Sequence, residues 1–408
     1  MLKNYIKIAI KILQRRKFFT FISLFAISFT LVVLMVATSL LDHVFAPMAP
    51  ETRLDRTLGI IHMDMIGPSA QWNGSPGYKF LDKYVRGLEN VEIFSIYREQ
   101  RTATSYKNGM EIKSMLKRTD GQYWKILDFE FIAGRPISDD DETKANFVAV
   151  INKATEEKFF GSEPSIGKIL EIDRQRFTVI GVVRNVSELR PVPYADIWVP
   201  NSTTPQITER NDLMGPYLGL LLARSADDFP AIKREFQSRL SKVELPNPEY
   251  THMEGAPETY AESVARETLD TSSGMALLEL IVALMLLFML LPAINLVNIN
   301  ISRILERSSE IGVRKSFGAS PWTLVGQFIV ENLVLTIVGG FLGILFAAII
   351  LEIVNGSGMF QYADLGLNLR IFGYGFVLIL VFGLLSGVYP AWAMSRIQPV
   401  SALKGVAQ

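Results

Sequence analysis

The stretch Phe18–Leu41, FFTFISLFAISFTLVVLMVATSLL, contains no charged residue. A bilayer core of roughly 30 Å needs about 20 apolar residues in helix, because backbone polar groups in lipid must pair within their own segment. Three further runs meet the same test. Ile371–Met394 is also free of charge, and Leu280–Ser302 and Asn332–Leu351 are charge-free runs that extend past Glu279 and Glu331. The first run follows a basic stretch, as a signal peptide does, but it far exceeds the roughly 7 to 15 apolar residues of a signal core. It is read as an uncleaved anchor.

Lys3, Lys7, Lys11, Arg15, Arg16 and Lys17 precede it with no acidic residue among them. Positive charge stays in the cytoplasm, so the N-terminus is expected inside and the rest follows by alternation. The expected order is a cytoplasmic amphipathic segment (1–17), a first span (18–41), a large outer domain (42–273), a second span (274–301) and a cytoplasmic loop (302–321). A third span (322–351), a short outer loop (352–370), a fourth span (371–394) and a cytoplasmic tail (395–408) complete it. The fold class is an integral membrane α-helical protein with four transmembrane helices and an inserted extracytoplasmic α+β domain. Within 1–17 the basic residues recur every four positions, opposite Tyr5, Ile6, Ala9, Ile10 and Leu13. That pattern suits a helix along the inner membrane surface, or a basic flank that only sets topology.

Of 408 residues 49% are hydrophobic, and 41 basic residues balance 41 acidic ones. Total charge therefore points to neither a nucleic-acid partner nor an acidic substrate. Cysteine is absent, which excludes disulfides, thiolate metal sites and cysteine nucleophiles. In the outer domain, Lys107-Asn108-Gly109 between Arg101–Tyr106 and Met110–Lys117 predicts a tight hairpin. Phe147–Ile151 reads as a strand followed by a helix through Phe160, and Lys168–Ile172 is expected to pair with Phe177–Val183 across Asp173 and Arg174. Asp196–Val199 and Tyr217–Ala223 are further strand candidates. Asp227–Val243 and Pro257–Leu269 read as helices.

The segment Glu306-Arg307-Ser308-Ser309-Glu310-Ile311-Gly312-Val313-Arg314-Lys315-Ser316-Phe317-Gly318-Ala319-Ser320 resembles the cytoplasmic signature of the MacB/FtsX-like ABC permeases. The likeness continues through Gln327-Phe328, Glu331, Gly339-Gly340 and Gly343. Near the end, Tyr389-Pro390-Ala391-Trp392 and Pro399-Val400-Ser401-Ala402-Leu403 are similar to the family's ending. Phe159-Phe160-Gly161, Ser165-Ile166-Gly167-Lys168 and Phe177–Val183 resemble its periplasmic core domain. From about Pro191 to Ser263 no named feature of the family is matched, and this stretch is expected to form an accessory lobe.

The resemblance implies a permease subunit in a bacterial inner membrane, driven by a cytoplasmic ABC ATPase and working as a homo- or heterodimer. An adaptor or an extracytoplasmic substrate protein is a further candidate partner, beside membrane lipids. It also implies that Glu306, Arg307, Glu310, Ile311, Gly312, Arg314, Lys315, Gly318, Ala319 and Ser320 form the coupling region that receives the ATPase's motion. The alternative, a basic loop serving topology alone, accounts for Arg314 and Lys315 but not for Glu306 and Glu310 among them.

No phosphate loop of the form G-x-x-x-x-G-K-[ST] occurs. In Gly161–Lys168 the glycines stand one residue too far apart, and Ile169 replaces the magnesium-binding hydroxyl. No cofactor is therefore expected on this chain, and ATP and magnesium are expected on a partner. His43, His62 and His252 show no metal-ligand spacing, and Asp139–Glu142 is expected to be a solvated loop rather than a calcium site. No catalytic or metal residue is assigned.

Glu331 falls about 15 Å along its helix, inside the lipid region, where a carboxyl is either functional or bonded to a neighbouring helix. Pro292 should kink the second span. Gly339 with Gly343, and Gly383 with Gly387, allow close helix approach within one chain or across a dimer. Scarce intramembrane charge and the lack of a polar stripe argue against a wide channel. The resemblance implies that the outer domain does the work, as efflux of drugs or peptides, lipoprotein extraction or hydrolase activation. A sensor or scaffold that regulates a partner without transport is the alternative.

Overall fold

The computed structural model describes residues 2–15, 17–107, 110–204, 212–245, 247–271, 273–306, 313, 317, 320–370, 372–374, 376–377 and 380–381. It falls into two units. One is helical and comprises Met1–Asp42, Glu279–Ser357 and Leu365–Gln408; the other is an inserted domain of His43–Leu278 together with Gly358–Asp364.

In the helical unit, the basic N-terminal segment forms the helix Leu2–Arg15, with Ala9 buried and Ile6 and Ile10 exposed. It packs on the helix Pro321–Gly356. The first long helix, Lys17–Phe45, outruns its charge-free stretch, and the Pro321–Gly356 helix overshoots 322–351 at both ends. Hydropathy reports where lipid lies, whereas the i to i−4 ladder continues as long as the backbone can pair. The helix Gly274–Glu306 continues through Pro292 without a break in its assignment.

Two helical stretches, Lys17–Phe45 and Ile329–Gly356, are each long and apolar enough to cross a bilayer, and Tyr260–Leu269 with Gly274–Phe288 makes a third if that bent pair is one span. Most of the expected fourth span lies outside the described residues. On the first helix, Phe21, Phe25 and Phe29 stack along an exposed face. The hydroxyls of Ser23, Thr30 and Thr38 donate to carbonyls four residues earlier, which leaves no orphan in an apolar setting.

Glycine decides how these helices meet. A Cβ on Gly339 would lie 2.6 Å from Ile27 Cγ2, one on Gly343 would lie 2.8 Å from Leu31 Cβ, and one on Gly340 would lie 2.5 Å from the Phe376 ring. Bare backbone thus packs directly on the first helix, and the pair Gly339 and Gly343 serves packing within one chain. Around the contact, Ile27, Leu31 and Leu335 form a small core with Leu13 and Phe372.

The inserted domain is built on a ten-stranded mixed sheet. Its strands are β1 Thr57–Ile60, β4 Val91–Arg98, β5 Arg101–Lys107, β6 Met110–Thr119, β7 Phe131–Gly134, β8 Val148–Asn152, β9 Ile169–Ile172, β10 Gln175–Val183, β11 Ile197–Pro200 and β12 Tyr217–Ala223. The order is β1-β12-β4-β6-β11-β8-β10-β7, with β5 on β6 and β9 on β10. β10 runs parallel to β8 and β11 parallel to β6; the other pairings are antiparallel. The expected hairpin is present in register from Arg101↔Leu116 to Lys107↔Met110, its turn residues lying outside the described set. Asp173 and Arg174 take the left-handed angles, φ 47° and 66°, that close the β9–β10 hairpin.

Pro191–Ser263 does not form one lobe. Its strands β11 and β12 are central members of the main sheet, and the separate layer is a three-stranded sheet of β2 Met63–Ile66, β3 Gln71–Gly74 and β13 His252–Gly255. Met63, Met65 and Met253 from that sheet share a core with Leu58, Ile60, Phe94 and Leu221, closed by Ile232, Phe236 and Leu240 of the helix Phe229–Leu240. Asp139–Glu142 is the first turn of a short helix rather than a loop. Ser138 caps it, and Asp141 reaches back to the Ser138 amide and receives Arg135 at 2.6 Å. Negative charge at a helix N-terminus is favourable, which explains why four acidic residues sit together.

Gly343→Val should lower stability by about 1 to 3 kcal/mol, the usual cost of overpacking, read as a lower melting temperature in detergent. Gly326→Ala, where an added Cβ meets nothing within 4 Å, should not lower it, since Ala favours the helix over Gly by up to about 1 kcal/mol.

Candidate functional site

Residues singled out in the sequence divide between those the structure places and those it does not describe. Glu306 is the last described residue of the helix Gly274–Glu306, and Ser320 caps the helix Pro321–Gly356, its hydroxyl accepting from the Thr323 amide at 3.2 Å. Arg307, Glu310, Ile311, Gly312, Arg314, Lys315, Gly318, Ala319, Gly383 and Gly387 lie outside the described residues. Glu331 is buried, and it is not alone. Gln327, Asn332 and Thr336 are buried beside it, so the helix carries a polar stripe that the sequence reading missed. The stripe turns into the helical unit, where Thr336 donates to Asn332 O at 2.9 Å. Among the described residues no group of three His, Asp or Glu side chains stands close enough to hold a metal ion.

The most extensive buried polar network in the inserted domain lies where the chain enters it. Beyond Phe45 the chain leaves the first helix, and within six residues it meets a buried guanidinium. Arg190 Nη1 lies 2.8 Å from Glu51 Oε2, and Arg190 Nη2 donates to Ala46 O at 2.6 Å. Both side chains are excluded from water, at 2% and 8% exposure. One planar group thus fixes both the carbonyl just past the helix end and the first carboxylate of the domain.

The other end of the insertion is tied in beside it. The Phe45 ring lies 5.6 Å from that of Tyr260, at the start of the helix Tyr260–Leu269. Gly59 of β1 exchanges two backbone hydrogen bonds with Glu258, at 2.7 and 2.8 Å. Glu258 also receives Arg266. Entry and exit of the chain are therefore stitched to each other and to the sheet.

Arg190 sits in the connection from β10 to β11, and that connection rests on a buried lysine. Lys117, on central strand β6, is fully buried; its Nζ donates to Pro191 O at 2.6 Å and to Val192 O, and it lies 5.6 Å from the centre of the Tyr97 ring. Tyr123 OH donates to the same Val192 carbonyl at 2.8 Å. Burial pulls the Lys117 amine down to about 7, opposed by the charges of Glu51 and Glu99. Burial raises Glu51, with Arg190 pulling the other way. Three residues further along, just past the end of β6, Asp120 accepts from Ser95 Oγ and from the Ile96 and Tyr123 amides, at 2.7 to 2.9 Å. Burial nonetheless lifts its carboxyl to about 6.

None of these root residues stood out in the sequence. The available signals were a charged pair flanking prolines, Pro50-Glu51 and Arg190-Pro191, and a lysine in a strand that flanking residues fill on both faces. Burial of an ionisable group becomes visible only once the strands are ordered.

Comparison with known proteins gives two family matches in chain order. Residues 20–239 match the MacB-like periplasmic core domain and residues 282–399 match the FtsX-like permease C-terminal domain. The ABC transporter permease YknZ of Bacillus subtilis is 22% identical over 343 residues, covering 81% of this chain and 81% of that protein. The macrolide export ATP-binding/permease protein MacB of Bdellovibrio bacteriovorus is 26% identical over 67% of this chain, and the pyoverdine export ATP-binding/permease protein PvdT of Pseudomonas aeruginosa is 26% identical over 68%. The chain spans 41% and 40% of the length of those two. Among solved structures, the extracellular domain of YknZ aligns over 48% of this chain and 98% of its own, with 17% identity and a TM-score of 0.37.

The Lys117 amine keeps its proton to a higher pH when unfolded, near its ordinary 10.5, than when folded, near 7. Folding therefore releases a proton in that window, so stability should rise with pH from 7 toward 10, by on the order of 1 kcal/mol per pH unit at most. Melting of the inserted domain followed by tryptophan fluorescence at pH 7, 8 and 9 should show this rise. Lys117→Met should flatten it.

Proposed function

The chain belongs to the MacB/FtsX-like family of ABC transporter permeases, a membrane component with a large extracytoplasmic domain, and we propose that it works by mechanotransmission rather than by conducting a solute. An ATPase outside this sequence, which we place on a separate cytoplasmic chain, binds and hydrolyses ATP. Its motion enters through Glu306–Ser320, moves the helices on either side and rearranges the extracytoplasmic domain. In this reading two permease copies act together, and the domain's change of shape is the output.

The observation that carries the reading is the Arg190 clamp. A domain that only displayed a binding surface would need no buried ion pair where it joins its anchor, since burying two charges brings little net stability. A domain that must follow its anchor's rotation does need one. A ligated guanidinium holds both position and direction, which a flexible linker cannot. Close glycine contacts in the helical unit serve the same end, because helices packed backbone to backbone move as a body.

For the work performed, we propose export of compounds that have already reached the outer face. Support comes from the relatives named as macrolide and pyoverdine exporters. Lipoprotein extraction and hydrolase activation would use the same motion on a protein substrate, and an adaptor would join in an export duct.

The test uses the complex of this chain with its ATPase, reconstituted in lipid. Reversing the charges of Glu310 and Arg314 together should reduce hydrolysis to the rate of the ATPase alone while leaving the complex folded. Coupled hydrolysis that survives the reversal would count against the mechanism.

A further inference from the structure

The short outer segment between the last two spans is the least conspicuous part of the chain, yet it belongs to the extracytoplasmic domain. Gly358–Asp364 groups with His43–Leu278, whereas the residues on both sides of it group with the helices. The backbone therefore passes between the units at Ser357–Gly358 and Asp364–Leu365, as well as at the two ends of the large insertion.

Three directed bonds account for this. The Glu188 amide donates to Gln361 O at 3.0 Å. Tyr194 OH donates to Gln361 Oε1 at 2.8 Å, and Tyr362 OH donates to Asp196 Oδ1 at 3.1 Å. All three acceptors and donors on the domain side lie between Asn185 and Asp196, the connection that also carries Arg190. Asp196 is itself fixed, since its carboxylate receives the Met115 amide at 2.8 Å and Asn152 Nδ2 at 3.1 Å. Tyr362 is held in the left-handed region, at φ 57°, which a bulky side chain adopts only when its surroundings impose it.

The base of the segment has no slack. Asn355 brackets Leu365, accepting from its amide at 3.0 Å and donating to its carbonyl at 3.2 Å. Ser39 donates to Gly366 O at 2.8 Å, and Asn368 Nδ2 donates to Asp42 Oδ2 at 3.1 Å. The segment is thus closed by hydrogen bonds at its neck and bonded again at its tip. The helix that feeds it, Pro321–Gly356, is the one that Ser320 caps at the end of the coupling segment.

We propose that Gly358–Asp364 is a second mechanical input to the domain, delivering movement of the Pro321–Gly356 helix through Gln361 and Tyr362 onto the connection that Arg190 ties to the first helix. The two inputs converge on Asn185–Asp196, so that connection reads the relative displacement of two helices. Gln361 and Tyr362 are positioning residues, and the proposal rests on the mechanotransmission reading above.

The experiment measures amide exchange across Asn185–Asp196 in the full complex in lipid, without nucleotide and after trapping with ATP and vanadate. The native complex should show a nucleotide-dependent difference there. Gln361→Ala with Tyr362→Phe should shrink that difference by about threefold or more, with the hydrolysis rate of the ATPase and the protection of β10 amides unchanged. A full difference in this variant, with β10 still protected, would overturn the proposal and leave the functional reading intact. If the double variant loses β10 protection, Tyr362→Phe alone, which deletes one hydroxyl, decides by the same measure. A native complex with no nucleotide-dependent difference anywhere in the domain would overturn the functional reading, and the proposal with it.

Discussion

A guanidinium taken out of water is costly unless it is paired, and Arg190 pairs its two terminal nitrogens with the two groups that define where the domain begins, while its Nε is left without a partner among the described residues. Removing one partner of such a pair leaves a buried charge uncompensated, at a cost of about 3 to 5 kcal/mol. The arrangement is therefore poor as a source of stability and strict as a constraint. The carbonyl of Ala46 would otherwise be one of the unsatisfied acceptors past a helix end. The buried arginine satisfies that acceptor directly.

The same demand spreads through the neighbouring groups. Lys117 holds the Pro191 and Val192 carbonyls from below, so the chain carrying Arg190 cannot peel away without stranding an ammonium in the core. Tyr123 shares the Val192 acceptor, and its own turn is fixed by Asp120. An unpaired polar group at this depth is costly, and the network carries one in the Arg190 Nε. The paired groups form one connected path from β6 to the exit of the first helix.

How much of this was legible depended on whether the deciding contact was local. The hydropathic runs, the Asn108-Gly109 hairpin and the Tyr217–Ala223 strand are properties of short windows, and the structure places strands where those windows put them. Ser138 and Asp141 spell a capping box within four residues, so the helix at Asp139 was readable in principle and was obscured by the acidity that in fact favours it. The small sheet was not readable. Its strands come from Met63–Gly74 and from His252–Gly255, and nothing near either segment announces the other. Lys117 and Arg190 belong to the same class, because a charged residue is read as a surface residue until the strands above and below it are known. The tip residues Gln361 and Tyr362 lie in a segment whose length alone marks it as a simple turn.

A joint that must transmit displacement and still change shape is better made from hydrogen bonds than from apolar packing. Apolar contact is non-directional, so two greasy surfaces can slide with little change in energy, and they report displacement poorly. A carbonyl or carboxylate accepts along defined directions and over a few tenths of an ångström, so a shift of one helix alters the bonding sharply. Both connections to Asn185–Asp196 are of this kind, with Arg190 on one side and Gln361 and Tyr362 on the other. The connection is also anchored by apolar packing, since Val192 and Ala195 join a core with Trp124 and Trp198. In the proposed mechanism, directed bonds of this kind on a packed support are what would let small movements of helices become discrete rearrangements of a domain.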